Sequence, residues 1–396
     1  MTARTARRLS AIAFGLVFGL LMGEIAVRII SPVKPADLLP LSYDESGLDR
    51  IAAHDTYITF DPSLGWTVSK GMSRASTQAV YTSNSAGMRS LREYSLAPPE
   101  TGPRLAAFGD SFTHCDDVEN DECWTAQLEG DMPGVEVLNF GVSGYAPDQA
   151  WLRYQQEGRA YKPCAVLMGF MVENVNRMVN RFRPFYQPDT GITLAKPRFL
   201  IQGDGLELLP IPARSPLDYE DPAWVERELG PHDFWYYPGM FAGSVWDLST
   251  FVRLGKTVAY QRKFASLRDD NEDASDIAWA YQPNSEGLEI ASRVLIQFAR
   301  QVEADGATPV VLIFGRKSDV VAMRHGEKKV YEPLLQRLNK ANVSAIDLTE
   351  RLFEAQKRSG VERLIDKHYR ALGNAAIADG MARRLQKITA STCRWP

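Results

Sequence analysis

The chain has 396 residues, of which 45% are hydrophobic and 24% are charged, and its formal net charge is −4. This length allows one large α/β domain with additions, or two small domains. Basic and acidic residues are mixed along the chain, so it lacks the basic stripe that binds nucleic acid. The four cysteines are irregularly spaced and give no zinc pattern.

The N-terminal segment is predicted to be a membrane anchor. Several arginines in the first eight residues precede an apolar run from Leu9 to Ile30. As a helix rising ~1.5 Å per residue, this run can cross ~30 Å of hydrocarbon. The positive charge before it predicts a cytoplasmic N-terminus and an extracytoplasmic remainder, as in a single-pass inner-membrane protein with a periplasmic domain. Glu24 and Arg28 are four residues apart and can pair on one helix face.

Two other interpretations of this segment stay open. A cleaved signal peptide would have its apolar core at residues 11–23, but Glu24 interrupts the usual cleavage pattern. A buried core helix fits less well with the arginines that precede the run. We therefore expect residues 1–31 to form a cytoplasmic stub and a retained transmembrane helix.

The next segment, residues 32–103, is predicted to be a linker followed by a β-rich lead. Prolines mark the linker, and Tyr57–Phe60 and Ala79–Thr82 have strand-like composition. Residues 104–390 then alternate strand and helix patterns and form the main predicted domain.

The alternating part contains five predicted strands and a long interruption. The strands are Leu105–Phe108, Val135–Phe140, Ala165–Phe170, Pro309–Phe314 and Val343–Asp347, and the helices are Trp124–Leu128, Asp148–Arg159, 286–304, 331–340 and 371–387. Residues 178–284 interrupt this alternation as an inserted subdomain, with a predicted hairpin over Arg198–Leu209. Strands that alternate with helices imply a parallel sheet covered on both faces, which binds ligands at the carboxyl ends of its strands.

A serine follows the first predicted strand in Gly109-Asp110-Ser111. On a strand-to-helix turn its hydroxyl is held away from the sheet, and the N–H groups at the helix start point at any anion that forms there. The competing interpretation is a simple helix N-cap.

A histidine precedes the last predicted helix in Asp366-Lys367-His368. A serine hydroxyl is a weak nucleophile until a base removes its proton, and histidine is the usual base near neutral pH. A carboxylate nearby can orient the imidazole ring. Taken alone, the same tripeptide also fits a solvated loop.

Together these segments resemble the SGNH/GDSL hydrolases, and in particular their bacterial branch with an N-terminal membrane helix. The matching segments are Asn84–Arg89, Phe108–Thr113 with its continuation to Leu128, Leu138–Tyr145, and Asp366–Tyr369 followed by Gly373. The resemblance implies an α/β three-layer α/β/α flavodoxin-like fold with a parallel sheet. It also implies chemistry through an acyl-serine, with no metal and no cofactor.

The resemblance also implies a role for each site residue. Ser111 is the expected nucleophile, His368 the base and Asp366 the carboxylate that orients it. The oxyanion would be held by the backbone N–H groups of Ser111 and Gly144 and by the side chain of Asn174.

One block departs from the family pattern. The family has Gly-x-Asn-Asp after the third strand, whereas an ungapped match here places Glu173 at the Asn position and Asn174 at the Asp position. A carboxylate would repel the developing oxyanion. A one-residue shift of the turn would bring Asn174 to the oxyanion and point Glu173 away, with Asn176 in reserve. Alternatively, Asn174 only caps the next helix.

Three further residues invite predictions. His114 lies three residues past Ser111, where it would contact substrate at the pocket rim or serve as a solvated or capping residue. Cys115 and Cys123 bracket an acidic loop and either form a disulfide over the active site or stay free thiols. Cys164 is expected to be a small core residue.

We therefore expect a serine esterase that hydrolyses O-acyl bonds of an extracytoplasmic glycan or lipid. The first alternative is a polysaccharide O-acetyltransferase, because the same branch resembles alginate-type acetyltransferases. The second is a non-catalytic glycan-binding or scaffold protein with a degenerate oxyanion site. Membrane and ester substrate are the expected partners, and the sequence does not indicate an oligomeric state.

Overall fold

The computed structural model describes residues 3–30, 34, 37–100, 102–264, 267 and 274–395. Its first helix contains a 20-residue apolar stretch, Ser10–Ile29, with a mean hydropathy of 2.0 and no part buried. This stretch is long enough to cross a membrane. The predicted pair of Glu24 and Arg28 is present, with 2.6 Å between Oε1 and Nε. Pro32 and Pro35 of the predicted linker lie outside the described residues.

The described residues form eleven strands and fourteen α-helices. The strands are β1 Ile58–Asp61, β2 Gly65–Val68, β3 Ser73–Ala75, β4 Val80–Thr82, β5 Arg104–Phe108, β6 Glu136–Asn139, β7 Ala165–Met171, β8 Arg198–Gln202, β9 Gly205–Leu209, β10 Thr308–Phe314 and β11 Ala345–Asp347. The helices are α1 Ala3–Ile30, α2 Leu48–Ala52, α3 Ser111–His114, α4 Trp124–Asp131, α5 Pro147–Gln156, α6 Asn174–Arg177, α7 Arg183–Tyr186, α8 Pro222–Leu229, α9 Thr250–Phe264, α10 Glu286–Ala304, α11 Lys317–Arg324, α12 Glu332–Lys340, α13 Thr349–Ser359 and α14 Ala371–Ile388.

The central sheet confirms the expected fold class. Five parallel strands lie in the order β11-β10-β7-β5-β6. If the five strands are numbered 1 to 5 in chain order, the order across the sheet is 2-1-3-4-5, as in flavodoxin-like folds. The strands after the first are added on one side of it, except the second, which lies on the other side. The site motif at the end of β5 therefore lies at the switch point, where loops from both sides of the sheet diverge and leave a cleft.

Two hydrophobic cores cover the two faces of this sheet. Along β5 the side chains alternate, so Leu105 and Ala107 belong to one core while Ala106 and Phe108 belong to the other. The first core includes residues of α4, α13 and α14, and the second includes residues of α5, α10 and α12. Helices on both faces are what the near-continuous apolar strands require.

Smaller antiparallel pairs surround the main sheet. β1 pairs with β2, and β3 pairs with β4, within the β-rich lead. The predicted hairpin is confirmed, because β8 pairs with β9 and Gln202 lies opposite Gly205. The 178–284 segment shares the larger core with the sheet, since Phe182, Trp235 and Phe264 are buried in the same cluster as Phe108.

All four cysteines are paired. Cys115 and Cys123 form the predicted disulfide, with their Cα atoms 5.4 Å apart. Cys164 and Cys393 form a second bond, with a Cα separation of 5.2 Å. The expectation that Cys164 is only a small core residue is therefore wrong, because the C-terminal tail folds back to the start of β7. No sequence pattern linked two cysteines so far apart in the chain.

Candidate active site

Ser111 lies on the turn between β5 and α3, as the sequence predicts. Asp110 caps the helix by accepting a hydrogen bond from the Phe112 N–H at 3.0 Å. The Ser111 side chain is the first of the helix and faces the cleft, and the residue is only 5% exposed. The turn thus places the Ser111 hydroxyl at a helix start, where Asp110 accepts the next three backbone N–H groups.

His368 reaches this hydroxyl directly. Its Nε2 is 2.9 Å from the Ser111 Oγ, although the two residues are 257 positions apart in the chain. The serine hydroxyl donates and the ring nitrogen accepts, which is the geometry in which a histidine can remove the proton.

Asp117, and not Asp366, orients the ring. The Nδ1 of His368 donates to the Asp117 Oδ2 at 2.7 Å. The Asp366 carboxylate is 54% exposed and pairs with Arg370, four residues further along the chain, at 2.8 Å. The expectation for Asp366 is corrected because its backbone N–H bonds back to the His368 carbonyl, in a tight turn that directs its side chain to solvent.

Asp117 reaches the ring because the chain turns sharply after α3. Cys115 and Asp117 both have positive φ angles, of 63° and 71°, a conformation that costs energy for residues other than glycine. The disulfide between Cys115 and Cys123 closes the loop that carries Asp117. The loop is thereby held over the end of β5, beside Ser111.

The electrostatic environment favours a basic His368. Burial disfavours the charged imidazolium, but the hydrogen bond to Asp117 and the negative charges of Asp116 and Asp117 outweigh it and raise the pKa of His368 above its ordinary 6.5. A ring with a raised pKa is a stronger base, and the same carboxylates stabilise the imidazolium that forms when it accepts a proton.

A second histidine–aspartate pair lies beside the first. His114 is fully buried, its Nδ1 lies 2.6 Å from the Asp116 Oδ1, and its Nε2 lies 2.9 Å from the Tyr57 hydroxyl. Burial, aided by the positive charge of Arg89, lowers the pKa of His114. The expectation that His114 lies at the pocket rim is therefore wrong. Its ring instead holds the start of the β-rich lead against α3.

Asp116 connects this second pair to the cleft. Burial opposes its charge, but His114 and Ser143 hold the pKa of Asp116 at about 2. The Ser143 hydroxyl donates to the Asp116 carboxylate at 2.8 Å. This bond fixes the turn after β6, which carries Gly144.

Gly144 lines the cleft together with Ser111 and His368. Its φ of +79° is a conformation that glycine adopts without strain, and a Cβ there would lie 2.7 Å from the Ile192 side chain. The turn therefore needs glycine, and it brings Gly144 to the same cleft as Ser111. The cleft itself is open and holds about 1310 Å³.

Glu173 lines the cleft, contrary to the expectation that it points away. Its carboxylate accepts from Arg177 Nη2 at 2.9 Å and from the Tyr186 hydroxyl. Burial opposes the charge, but the Arg177 and Arg183 guanidinium groups lower the pKa of Glu173. The carboxylate is thus ionised, and its charge is matched by Arg177, which also lines the cleft and bonds Asp110 at 3.3 Å.

Asn174 lies below the cleft surface. It is fully buried, and neither its amide nitrogen nor its amide oxygen has a hydrogen-bond partner among the described residues. The amide nonetheless lies close enough to the Asp110 carboxylate to favour its charged form, although burial raises the pKa of Asp110 overall. The structure therefore brings Ser111, Gly144 and His368 to one cleft and leaves Asn174 buried beside Asp110, not at the cleft surface next to Ser111 where the sequence predicts it.

Sequence reasoning missed Asp117, Asp116 and Arg177. Nothing in the local sequence separates Asp117 from the other acidic residues of its loop. The one available signal was the pair of cysteines that brackets the loop, which indicated that the loop is held near Ser111. Arg177 carried no signal, because its role depends on the turn that exposes Glu173.

Solved structures of esterases are similar to this chain. Axe2, an acetylxylan esterase from Geobacillus stearothermophilus, is 12% identical over 74% of this chain and 96% of its own, with a TM-score of 0.37. A G-D-S-L family lipolytic protein from Desulfitobacterium hafniense is 11% identical over 71% and 98%, with a TM-score of 0.34. Esterase EstA from Pseudoalteromonas is 11% identical over 72% and 97%, with a TM-score of 0.36. No protein-family model and no curated protein matches the chain.

Proposed function

We propose that the protein is a serine esterase that acts through an acyl-Ser111 intermediate. The observation that carries this proposal is the continuous chain of hydrogen bonds from Ser111 through His368 to Asp117, with 2.9 Å and 2.7 Å between successive atoms. The three side chains have the roles and the spacing of a nucleophile, a base and an orienting carboxylate.

Acyl transfer then proceeds in two steps. The Ser111 oxygen attacks the ester carbonyl, while its proton passes to the His368 Nε2. The tetrahedral intermediate collapses when the imidazolium gives this proton to the leaving alcohol. Water, activated by the neutral ring, attacks the acyl-serine in the same way and releases the acid.

The backbone N–H groups of Ser111 and Gly144 are the proposed first two donors to the oxyanion. Asn174 is the proposed third. It lies buried beside Asp110 in the free protein, so its amide must turn toward Ser111 when the oxyanion forms. Arg177, which lines the cleft, offsets the Glu173 charge that would otherwise oppose the oxyanion.

An extracytoplasmic, membrane-anchored location is part of the proposal. Two disulfides among four cysteines are typical of an oxidising compartment. The bonds that Glu24 of α1 accepts from the start of α9 support a retained anchor, because cleavage of the helix would remove a built contact. An O-acylated glycan or lipid outside the membrane is the proposed substrate.

Turnover of short p-nitrophenyl esters by the purified protein tests the esterase proposal. Hydrolysis that is abolished in a Ser111→Ala variant of unchanged thermal stability is the expected result. Folded wild-type protein that neither turns over esters nor reacts with a fluorophosphonate would favour the scaffold alternative. Oligosaccharide acceptors added to the same assay test transfer, since an acetyltransferase would give acetylated sugar at the expense of free acetate.

A further inference from the structure

Among the described residues outside α1, three of the four most exposed large apolar side chains lie in one short turn. Val245, Trp246 and Leu248 are 77%, 72% and 84% exposed, and Phe251 follows at 43%. We call these four residues the apolar turn. Contiguous exposed apolar side chains are unfavourable in water and mark a surface that contacts something else.

The apolar turn is held rigidly in this exposed position. Asp247, in its middle, accepts the Ser244 N–H at 2.7 Å and the Lys256 ammonium at 2.8 Å. This polar side chain therefore faces the protein, while its apolar neighbours project outward. A turn that was merely disordered would lack such fixed polar contacts.

The apolar turn lies directly beside α1. Glu24 accepts hydrogen bonds from the Ser249 hydroxyl at 2.7 Å and from the Phe251 N–H at 3.1 Å. A Cβ added at Gly23 would lie 3.1 Å from the Phe251 ring, so the ring packs closely against the helix. The apolar turn is thus fixed at the level of residues 23 and 24.

Residues 23 and 24, beside which the apolar turn lies, are inside the apolar stretch of α1, which continues to Ile29. Five residues of helix, at ~1.5 Å each, rise roughly 7 Å. Interfacial apolar segments are buried ~5–10 Å into the boundary between headgroups and acyl chains. If α1 spans the bilayer, the apolar turn lies at that depth, and tryptophan is a residue typical of it.

We propose that Val245, Trp246, Leu248 and Phe251 insert into the outer leaflet as a second membrane contact beside α1. This inference rests on the proposed retention of α1 as an anchor. A single helix leaves a domain free to rotate and tilt, whereas a second, adjacent contact fixes its orientation over the bilayer. The cleft is thereby held in one direction relative to the membrane.

Depth-dependent quenching of Trp246 tests the proposal. The full-length protein is reconstituted into phosphatidylcholine–phosphatidylglycerol vesicles, with or without bromine on the acyl chains near the headgroup. Subtracting the emission of Trp246→Phe from that of the wild type isolates Trp246. We expect a blue-shifted signal that loses most of its intensity in brominated vesicles. As a matched control, a tryptophan placed at Leu91, which is 75% exposed, in the Trp246→Phe background should stay unquenched.

The outcomes separate this proposal from the anchor on which it rests. An intact mass that lacks the N-terminal helix, or failure to float with vesicles, would overturn both. A floating, uncleaved protein whose Trp246 is unquenched would overturn the second contact alone. In that case, a Trp246 emission like that of tryptophan in water would mean that the apolar turn is exposed to solvent. A blue-shifted emission would mean that protein covers the apolar turn, such as a second copy of the chain.

Discussion

The two histidine–aspartate pairs use the same residue types but have different surroundings. Asp116 and Asp117 are neighbours in the chain, yet one bonds the fully buried His114 and the other bonds the partly exposed His368. Burial lowers the pKa of His114, whereas the carboxylates facing the cleft raise the pKa of His368. Residue identity therefore does not decide which pair is suited to base catalysis. The suitable pair is the one whose imidazole reaches Ser111 and is partly exposed to solvent.

The largest expected loss of activity follows from replacing Ser111, whose hydroxyl bonds His368 of the His368–Asp117 pair. Ser111→Ala should reduce ester turnover by about 10⁶-fold and abolish fluorophosphonate labelling, because the nucleophile is lost. Ser143→Ala, which removes the bond that fixes the Gly144 turn, should reduce turnover far less, because the nucleophile and its base remain. Undiminished labelling of the Ser111 variant would show that the nucleophile lies elsewhere.

The next effect distinguishes the two candidate aspartates of His368. Asp117→Asn should lower kcat by up to ~10⁴-fold, because the ring loses the carboxylate that fixes its tautomer and stabilises its charge. Asp366→Asn, which changes only the exposed pair with Arg370, should leave kcat close to the wild-type value. If the Asp366 variant lost activity and the Asp117 variant did not, the assignment would have to be reversed.

A smaller effect tests the third oxyanion donor. Asn174→Ala should lower kcat by ~10²–10³-fold with little change in KM, because the donor acts mainly in the transition state. Asn176→Ala is the matched control, since Asn176 is equally buried but bonds Tyr186. Steady-state kinetics and thermal melts of both variants decide the point. Equal losses in the two variants would indicate a packing defect and leave only the two backbone donors.

The two disulfides offer a comparison of the same kind. Replacing Cys115 and Cys123 by alanine should lower kcat by about tenfold, because misplacing an orienting group by about 1 Å costs up to ~10²-fold. Replacing Cys164 and Cys393 removes a bond far from the cleft and should lower thermal stability more than kcat. Activity that is insensitive to the first replacement would mean that Asp117 is held by its other contacts alone.

The pH profile should show the smallest effect. His368 must be neutral to act as a base, so its raised pKa predicts that kcat/KM falls as the pH drops through a value above 6.5. In Asp117→Asn this acid limb should move to lower pH, because the stabilising charge is gone. His114→Asn should leave the limb in place, since the lowered pKa of His114 keeps it neutral over this range. If the acid limb of the kcat/KM profile moved in His114→Asn, the base would have to be assigned to the His114–Asp116 pair.

Much of the fold was determined by local sequence. The apolar runs of β5, β7 and β10 and the amphipathic pattern of α10 were each predicted close to their observed bounds, because a strand buried on both faces and a long two-faced helix leave strong periodic signals. Helices α9, α11 and α13 were missed. They pack against neighbouring elements, α9 against α1 and α13 against α11 and α14, and this packing stabilises them.

Ser111 and His368 could likewise be identified from the sequence, because each follows a recognisable motif at the end of a strand or before a helix. The partner of His368, the burial of His114, the direction of Glu173 and the bond between Cys164 and Cys393 were decided by tertiary structure. Each depends on side chains that the chain brings together through a turn or over a long separation. An acidic residue in a loop looks the same in sequence whether it faces solvent, as Asp366 does, or an imidazole ring, as Asp117 does.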